Sequence, residues 1–136
     1  VSLSLELNHL MVPSRNNRES AEFFAHLLGF EIGEEWGPFI PVETSNGVRL
    51  DFATVPDADR KLQHYCFLIP EDDFDAFFLR LKETGVDYHA GPGGQGPGEI
   101  NHNHGGRGVY FLDPGGNGIE VITQPYEPER KRPASW

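Results

Sequence analysis

The sequence predicts an α+β protein made of two tandem β-α-β-β-β modules whose strands form a curved sheet cup. Three observations predict it. Two amphipathic helical segments each stop at a glycine. Each follows an apolar strand carrying a histidine, ELNHLMVP at 6–13 and KLQHYCFLIP at 61–70. Each is then followed by short strand-like runs, the last of which places a carboxylate at the same point: Asp51 in NGVRLDFAT and Glu120 in GNGIEVITQ. Order, helix stops, histidines and carboxylates recur together, which chance repetition of one feature does not give.

In chain order, His9 lies in the first apolar strand. Ser14 is the candidate cap of the first helix, which runs through RNNRESAEFFAHLL to Gly29. Phe23, Phe24, Leu27 and Leu28 form its apolar stripe, and the glycine suits a C-terminal stop. FEIGEEW, PFIPVET and GVRLDFAT read as the three strands that follow, and TVPDADRK as a polar joint. The second module opens on KLQHYCFLIP. Alternation puts His64 and Cys66 on one face and Tyr65, Phe67 and Ile69 on the other, so both faces read as buried. The second helix runs from about residue 71 to 84, with Phe74, Phe77, Phe78 and Leu81 at helical spacing. Glu71, Asp72 and Asp73 sit at its N-terminus, where the helix dipole favours them. VDYHA, RGVYFLD and NGIEVIT complete the set. The expected organisation is one domain over 1–126, with modules at about 1–56 and 61–126, and a flexible tail at 127–136.

A chain of 136 residues suits one domain with a hydrophobic core, or two small modules sharing one. Its net charge of -10 argues against a nucleic-acid or anionic-membrane partner. No apolar run approaches the ~20 residues that span a bilayer, and no signal-peptide pattern opens the chain. Cys66 is the single cysteine and cannot form an internal disulfide, so the expected compartment is the cytoplasm. Cys66 reads as a small core residue.

Alternation also predicts the site. The apolar sets Ile119/Val121 and Leu50/Phe52 face the helices. Asp51 and Glu120 then point to the concave side. With the modules packed as a pseudo-symmetric pair, His9, His64 and Glu120 converge there. Two imidazoles and one carboxylate form a facial ligand set suited to Fe(II), Mn(II), Zn(II) or Ni(II), with open positions for substrate. The competing reading is separate hydrogen-bonded polar residues under a sheet.

The repeat, with His9 in LNHLMV, His64 in LQHYCF and Glu120 in YFLDPGGNGIEVI, resembles the vicinal oxygen chelate superfamily of glyoxalases, bleomycin-resistance proteins and extradiol dioxygenases. GPFIPV, VRLDFA, QHYCFLI and PGEINHNHGGRGVYFLDPGG resemble more narrowly the small ChaP-like proteins of aromatic polyketide (chartreusin) biosynthesis. The resemblance implies metal ligands at His9, His64 and Glu120, Fe(II) as the metal with Zn, Ni or Mn as alternatives, and dioxygen chemistry on a polycyclic aromatic phenol or catechol. It also implies a homodimer with shared sites. Asp51 aligns with the place where glyoxalase I supplies a fourth ligand. Being shorter than Glu, it reads instead as a nearby base or as a partner for Arg49.

GPGGQGPGEINHNHGGRG is the least regular stretch and is expected to form a mobile rim over the cup. Its GxGxxG lacks the following helix that a nucleotide fingerprint needs. His102 and His104 are candidate proton carriers at the mouth, or plain solvent-exposed loop histidines. Trp36, Phe39, Arg49 and Tyr110 are candidate substrate contacts, the aromatic ones being equally good core residues. His26 and His89 read as structural, and YEPERKRPASW as a tail without chemistry. The rivals to an oxygenase are a glyoxalase I-like lyase or isomerase using Asp51, and a metal-free drug-binding protein. A fosfomycin-type thiol transferase is expected to carry a Ser- and Glu-rich potassium loop, which NHNHGGRG does not resemble.

Overall fold

The computed structural model describes residues 3–126. The chain divides into two compact units, Val1–Lys61 and Leu62–Trp136. In the first unit β1 (His9–Ser14) leads into α1 (Asn17–Leu28), then β2 (Phe39–Glu43) and β3 (Arg49–Thr54). The sheet order is β1-β3-β2, with β1 parallel and β2 antiparallel to β3. In the second unit β4 (His64–Leu68) leads through a 3-10 turn (Glu71–Asp73) into α2 (Phe74–Glu83). There β5 (Tyr88–His89), β6 (Gly108–Leu112) and β7 (Gly118–Ile122) follow, in the order β4-β7-β6-β5. The pair β4/β7 is parallel and the others antiparallel, so β4-β7-β6 repeats β1-β3-β2. Among the described residues no helix is long and apolar enough to cross a membrane.

Both cores follow from alternation against a helical stripe. Val12, Ile40, Val42, Leu50 and Phe52 are buried with Ala21, Phe24 and Leu27 of α1. The Phe24 and Phe52 rings stack at 5.3 Å. Phe74, Phe77 and Leu81 of α2 are buried with Val109, Phe111, Ile119 and Val121, and Phe77 meets Phe111 at 6.2 Å. Each Val, Leu, Ile or Phe side chain so withdrawn from water contributes about 1.5–3 kcal/mol.

Several details differ from the expectation. Asn16, not Ser14, caps α1: its Oδ1 accepts from the Glu19 amide at 2.9 Å, worth about 1 kcal/mol. Ser14 is still in β1, so the chain reaches its turn two residues later. FEIGEEW does not form a strand. It makes only the isolated bridges Ile32–Val42 and Trp36–Phe39, around a tight Gly37–Pro38 turn in which Gly37 has φ 52°. VDYHA shrinks to the two residues of β5. The glycine-rich segment is not loose throughout. Ala90 N donates to Gly96 O at 3.0 Å and Gly98 N to Tyr88 O at 2.8 Å, folding it back on β5. The expected tail at 127–136 lies outside the described residues.

Candidate functional site

The motif DPGGNG sets the site's geometry. The Asn117 amide nitrogen and side-chain Nδ2 donate to Asp113 Oδ1 and Oδ2 at 2.8 and 2.9 Å, closing the turn between β6 and β7. Burial raises the Asp113 pKa, and the Asn117 hydrogen bonds oppose that rise. Asn117 Oδ1 then accepts from the Gln63 amide at 2.9 Å, and Gly118 N donates to Gln63 O at 2.8 Å. These bonds fix the chain immediately before β4 and so place His64 beside Gly118.

Register does the rest. His64 pairs with Gly118, and Cys66, Glu120, Tyr110 and His89 form one row across β4, β7, β6 and β5. All share the face opposite α2. His64 Nδ1 lies 3.0 Å from Gly118 O. A carbonyl only accepts, so Nδ1 donates to it, and Nε2 is the nitrogen turned towards Glu120. Nε2 lies 3.2 Å from Glu120 Oε1. Two donors held about 2.1 Å from one divalent ion sit roughly 3.0–3.4 Å apart, so the pair fits a metal's adjacent ligands. The side chain of Glu120 is 3 % exposed, whereas that of His64 is 56 % exposed. The buried carboxylate is therefore reached from the open face.

Glu120 Oε2 accepts from the Tyr126 hydroxyl, which lies 3.1 Å from the Tyr110 hydroxyl. The His104 ring stacks on Tyr126 at 5.0 Å, with His104 in the left-handed region at φ 56°. Tyr110 lies parallel to His64 at 6.4 Å. Burial is the leading cause of raised pKa values for both phenols, and for Tyr126 the Glu120 hydrogen bond adds to it. Both stay neutral donors near pH 7. A cleft of about 620 Å³ opens from these groups, walled by His89, the Gly91–Gly94 turn and Leu112.

The structure thus brings His64, Glu120 and Tyr110 together, and reaches His104 through Tyr126. His102 is exposed and does not line the cleft. His9, Trp36, Phe39, Arg49 and Asp51 belong to the first unit. His9 is exposed, with Nδ1 2.7 Å from Asn8 Oδ1. Asp51 is 3 % exposed at its side chain, and both its oxygens are taken by Arg49, at 2.7 and 3.1 Å. Trp36 is 49 % exposed, not core; it contacts Phe39 at 4.8 Å and Arg49 at 5.5 Å. Among the described residues no three metal-ligating side chains converge.

Two expectations for β4 change. Its two faces are not both buried, because His64 and Cys66 are exposed. Cys66 is not core, although burial around its sulfur, with the Glu120 carboxylate, pushes the thiol up to about 12. The thiol is therefore a poor nucleophile. Tyr126 and His89, read from sequence as tail and structure, both wall the cleft. His89 lies in a two-residue strand, too short for alternation to mark its face. Tyr126 follows the last strand with no periodicity to mark it.

Residues 6–121 match the model of the Glyoxalase/Bleomycin resistance protein/Dioxygenase superfamily. The chain belongs to that superfamily. Among solved structures it is similar to Oxidase ChaP-H2, with 48 % identity, 91 % of this chain and 97 % of that one covered, and a TM-score of 0.87. Oxidase ChaP-H1 follows at 44 % identity, 90 % and 98 % coverage and a TM-score of 0.84. The Metallothiol transferase FosB of Shouchella clausii (strain KSM-K16) is 32 % identical over 125 residues, spanning 86 % of this chain and 79 % of that protein.

Proposed function

We propose that the protein is a metal-dependent oxygenase acting on a polycyclic aromatic phenol or catechol, with oxidative ring cleavage or rearrangement. The observation that carries this reading is the His64–Glu120 pair at the head of a 620 Å³ cleft, in a chain 48 % identical to Oxidase ChaP-H2. His64, Glu120 and His9 would hold the metal, Fe(II) first, with Zn, Ni or Mn as alternatives. One bound divalent ion supplies a Lewis-acidic centre with open positions and, as iron, a route for electrons to dioxygen. Ring cleavage balances without a further reductant: one C–C bond breaks and both atoms of dioxygen enter the product. The protein's own residues orient and exclude. Gly118 O fixes the His64 tautomer. Tyr126 holds one oxygen of Glu120 and leaves the other facing His64. Tyr110 and the glycine turn wall in a flat substrate. Asp51, bound by Arg49, is read as no ligand, and His104 as a proton carrier at the mouth.

We read the assembly as a homodimer with shared sites, His9 coming from one copy and His64 with Glu120 from the other. Mixing His9→Ala with Glu120→Ala protein should restore one working site in two once subunits exchange. No recovery despite exchange would place all three ligands in one chain.

The likeness to the FosB transferase favours a second reading, metal-assisted thiol addition. Protein purified without oxygen should contain iron and consume dioxygen with fused-ring hydroquinones or catechols. Thiol addition to fosfomycin without oxygen uptake would replace the first reading with the second.

A further inference from the structure

We propose that His89 is a specificity-determining residue of the cleft, hydrogen-bonding an oxygen at the far end of a fused aromatic substrate whose near end lies at His64 and Glu120. This deepens the oxygenase reading and rests on it for what occupies the near end.

Placement comes from register. His89 pairs with Tyr110, and Tyr110 with Glu120, so all three project to the same face. Two strand spacings separate the Glu120 and His89 backbones, about 10 Å. The His89 ring is half-buried in the cleft wall. Among the described residues neither of its ring nitrogens has a hydrogen-bond partner. The neighbouring turn leaves it uncovered. Gly94, at φ 81°, carries no side chain, and a Cβ there would sit 3.9 Å from His89 Nε2. The β5 backbone beneath is pinned on both sides of His89, at Tyr88 O and Ala90 N.

An imidazole whose hydrogen bonds are unmade, standing in a cleft wall, is ready to donate to a carbonyl or exchange with a hydroxyl. Its reach selects by length. A hydrogen bond needs about 2.8 Å between heavy atoms. A single-ring catechol at Glu120 ends short of His89. A fused two- or three-ring scaffold with oxygens at both ends spans the interval between Tyr110 and the glycine turn. The class of ligand is thus a planar fused aromatic carrying a distal hydroxyl or carbonyl.

The test uses the full chain without oxygen, and three probes: catechol, 2-naphthol and 2,6-dihydroxynaphthalene. Dissociation constants are read by fluorescence titration for wild type, His89→Ala and His89→Gln, with melting temperatures alongside. Wild type should prefer 2,6-dihydroxynaphthalene to 2-naphthol. His89→Ala should weaken that probe about three- to tenfold and leave the other two unchanged. His89→Gln, which keeps a donor and an acceptor, should restore part of the preference. It also decides the matter if His89→Ala melts early. Equal loss for all three probes, no loss for any, or no wild-type preference would overturn the inference. Failure of the oxygenase reading looks different: the His89-dependent preference persists, while wild type consumes no oxygen with any probe.

Discussion

The two units place the same strands in the same register and treat their carboxylates in opposite ways. In the first, His9 pairs with Arg49 and Met11 with Asp51. In the second, His64 pairs with Gly118 and Cys66 with Glu120. The residue opposite the histidine is an arginine in one and a glycine in the other. Arg49 closes on Asp51 with two hydrogen bonds and neutralises it. Gly118 offers only its carbonyl, which fixes the His64 tautomer and leaves Glu120 Oε1 facing Nε2. The next strand adds to the contrast. Pro41 pairs with Asp51, whereas Tyr110 pairs with Glu120 and leads to Tyr126. One scaffold therefore holds its carboxylate in a buried ion pair or beside an imidazole and a phenol, depending on the residue opposite the histidine and the one on the next strand.

The largest effect is expected from writing the first unit's residue into the second. Gly118 has no positive φ, and a Cβ there would lie 3.6 Å from His64 Nδ1, an ordinary contact. Gly118→Arg should fold, with a melting temperature close to wild type. Its guanidinium should capture Glu120 as Arg49 captures Asp51, and bound metal should fall by a hundredfold or more in affinity. Competition with a chromogenic chelator measures this. Unchanged affinity would mean that the arginine is not what separates the two carboxylates.

A smaller effect is expected one step further out. Tyr126→Phe removes the donor to Glu120 Oε2 and keeps the ring that His104 stacks on. Metal affinity should drop about tenfold, within the range typical of lost partners behind a ligand. The same titration checks it, and Tyr110→Phe should cost less, because it leaves the Tyr126 hydroxyl on Glu120.

The smallest effect tests the helices. α1 starts on the Asn16 cap, while α2 has no side-chain cap. Arg107 takes over at α2, bonding Glu71 and Asp75 at 2.6 Å each and lying 4.4 Å above the Phe74 ring. The Thr123 hydrogen bond, then Arg107, lowers the Glu71 pKa. A lowered carboxylate stabilises the fold above its ordinary range, and that contribution is lost as pH falls through the folded-state value. Glu71→Gln should therefore melt a degree or two below wild type at pH 7, a gap that closes as the pH falls below the folded-state value. The small size follows from the exposure of Glu71.

Much of this was legible in the sequence, for a physical reason. Phe24 and Leu27 in α1, Phe74, Phe77 and Leu81 in α2, and the alternating runs around Asp51 and Glu120 carry period directly into burial. A repeat aligns His64 and Glu120 with His9 and Asp51, and the structure brings the first two side chains together. Positions fixed by local closure were not legible. Ser14 and Asn16 cap equally well as residue types, and only the end of β1 chooses between them. Ile32 and Trp36 alternate like a strand, but Gly33, Gly37 and Pro38 reduce it to bridges. His89 sits in a strand of two residues, too short for a pattern. Tyr126 gains its role only because the chain returns over β7 after Ile122. The opposite fates of the two carboxylates depended on Arg49 standing where the repeat has Gly118, a difference visible in the sequence but without meaning until register paired it with His9.

Glu120, not Asp51, is the carboxylate proposed to hold the metal. Metal content per chain, measured by mass spectrometry on protein purified without oxygen, tests it in three samples: wild type, Asp51→Asn and Glu120→Gln. One divalent ion per chain is expected in wild type and in Asp51→Asn, and almost none in Glu120→Gln. Loss of metal from Asp51→Asn, or its retention by Glu120→Gln, would contradict it.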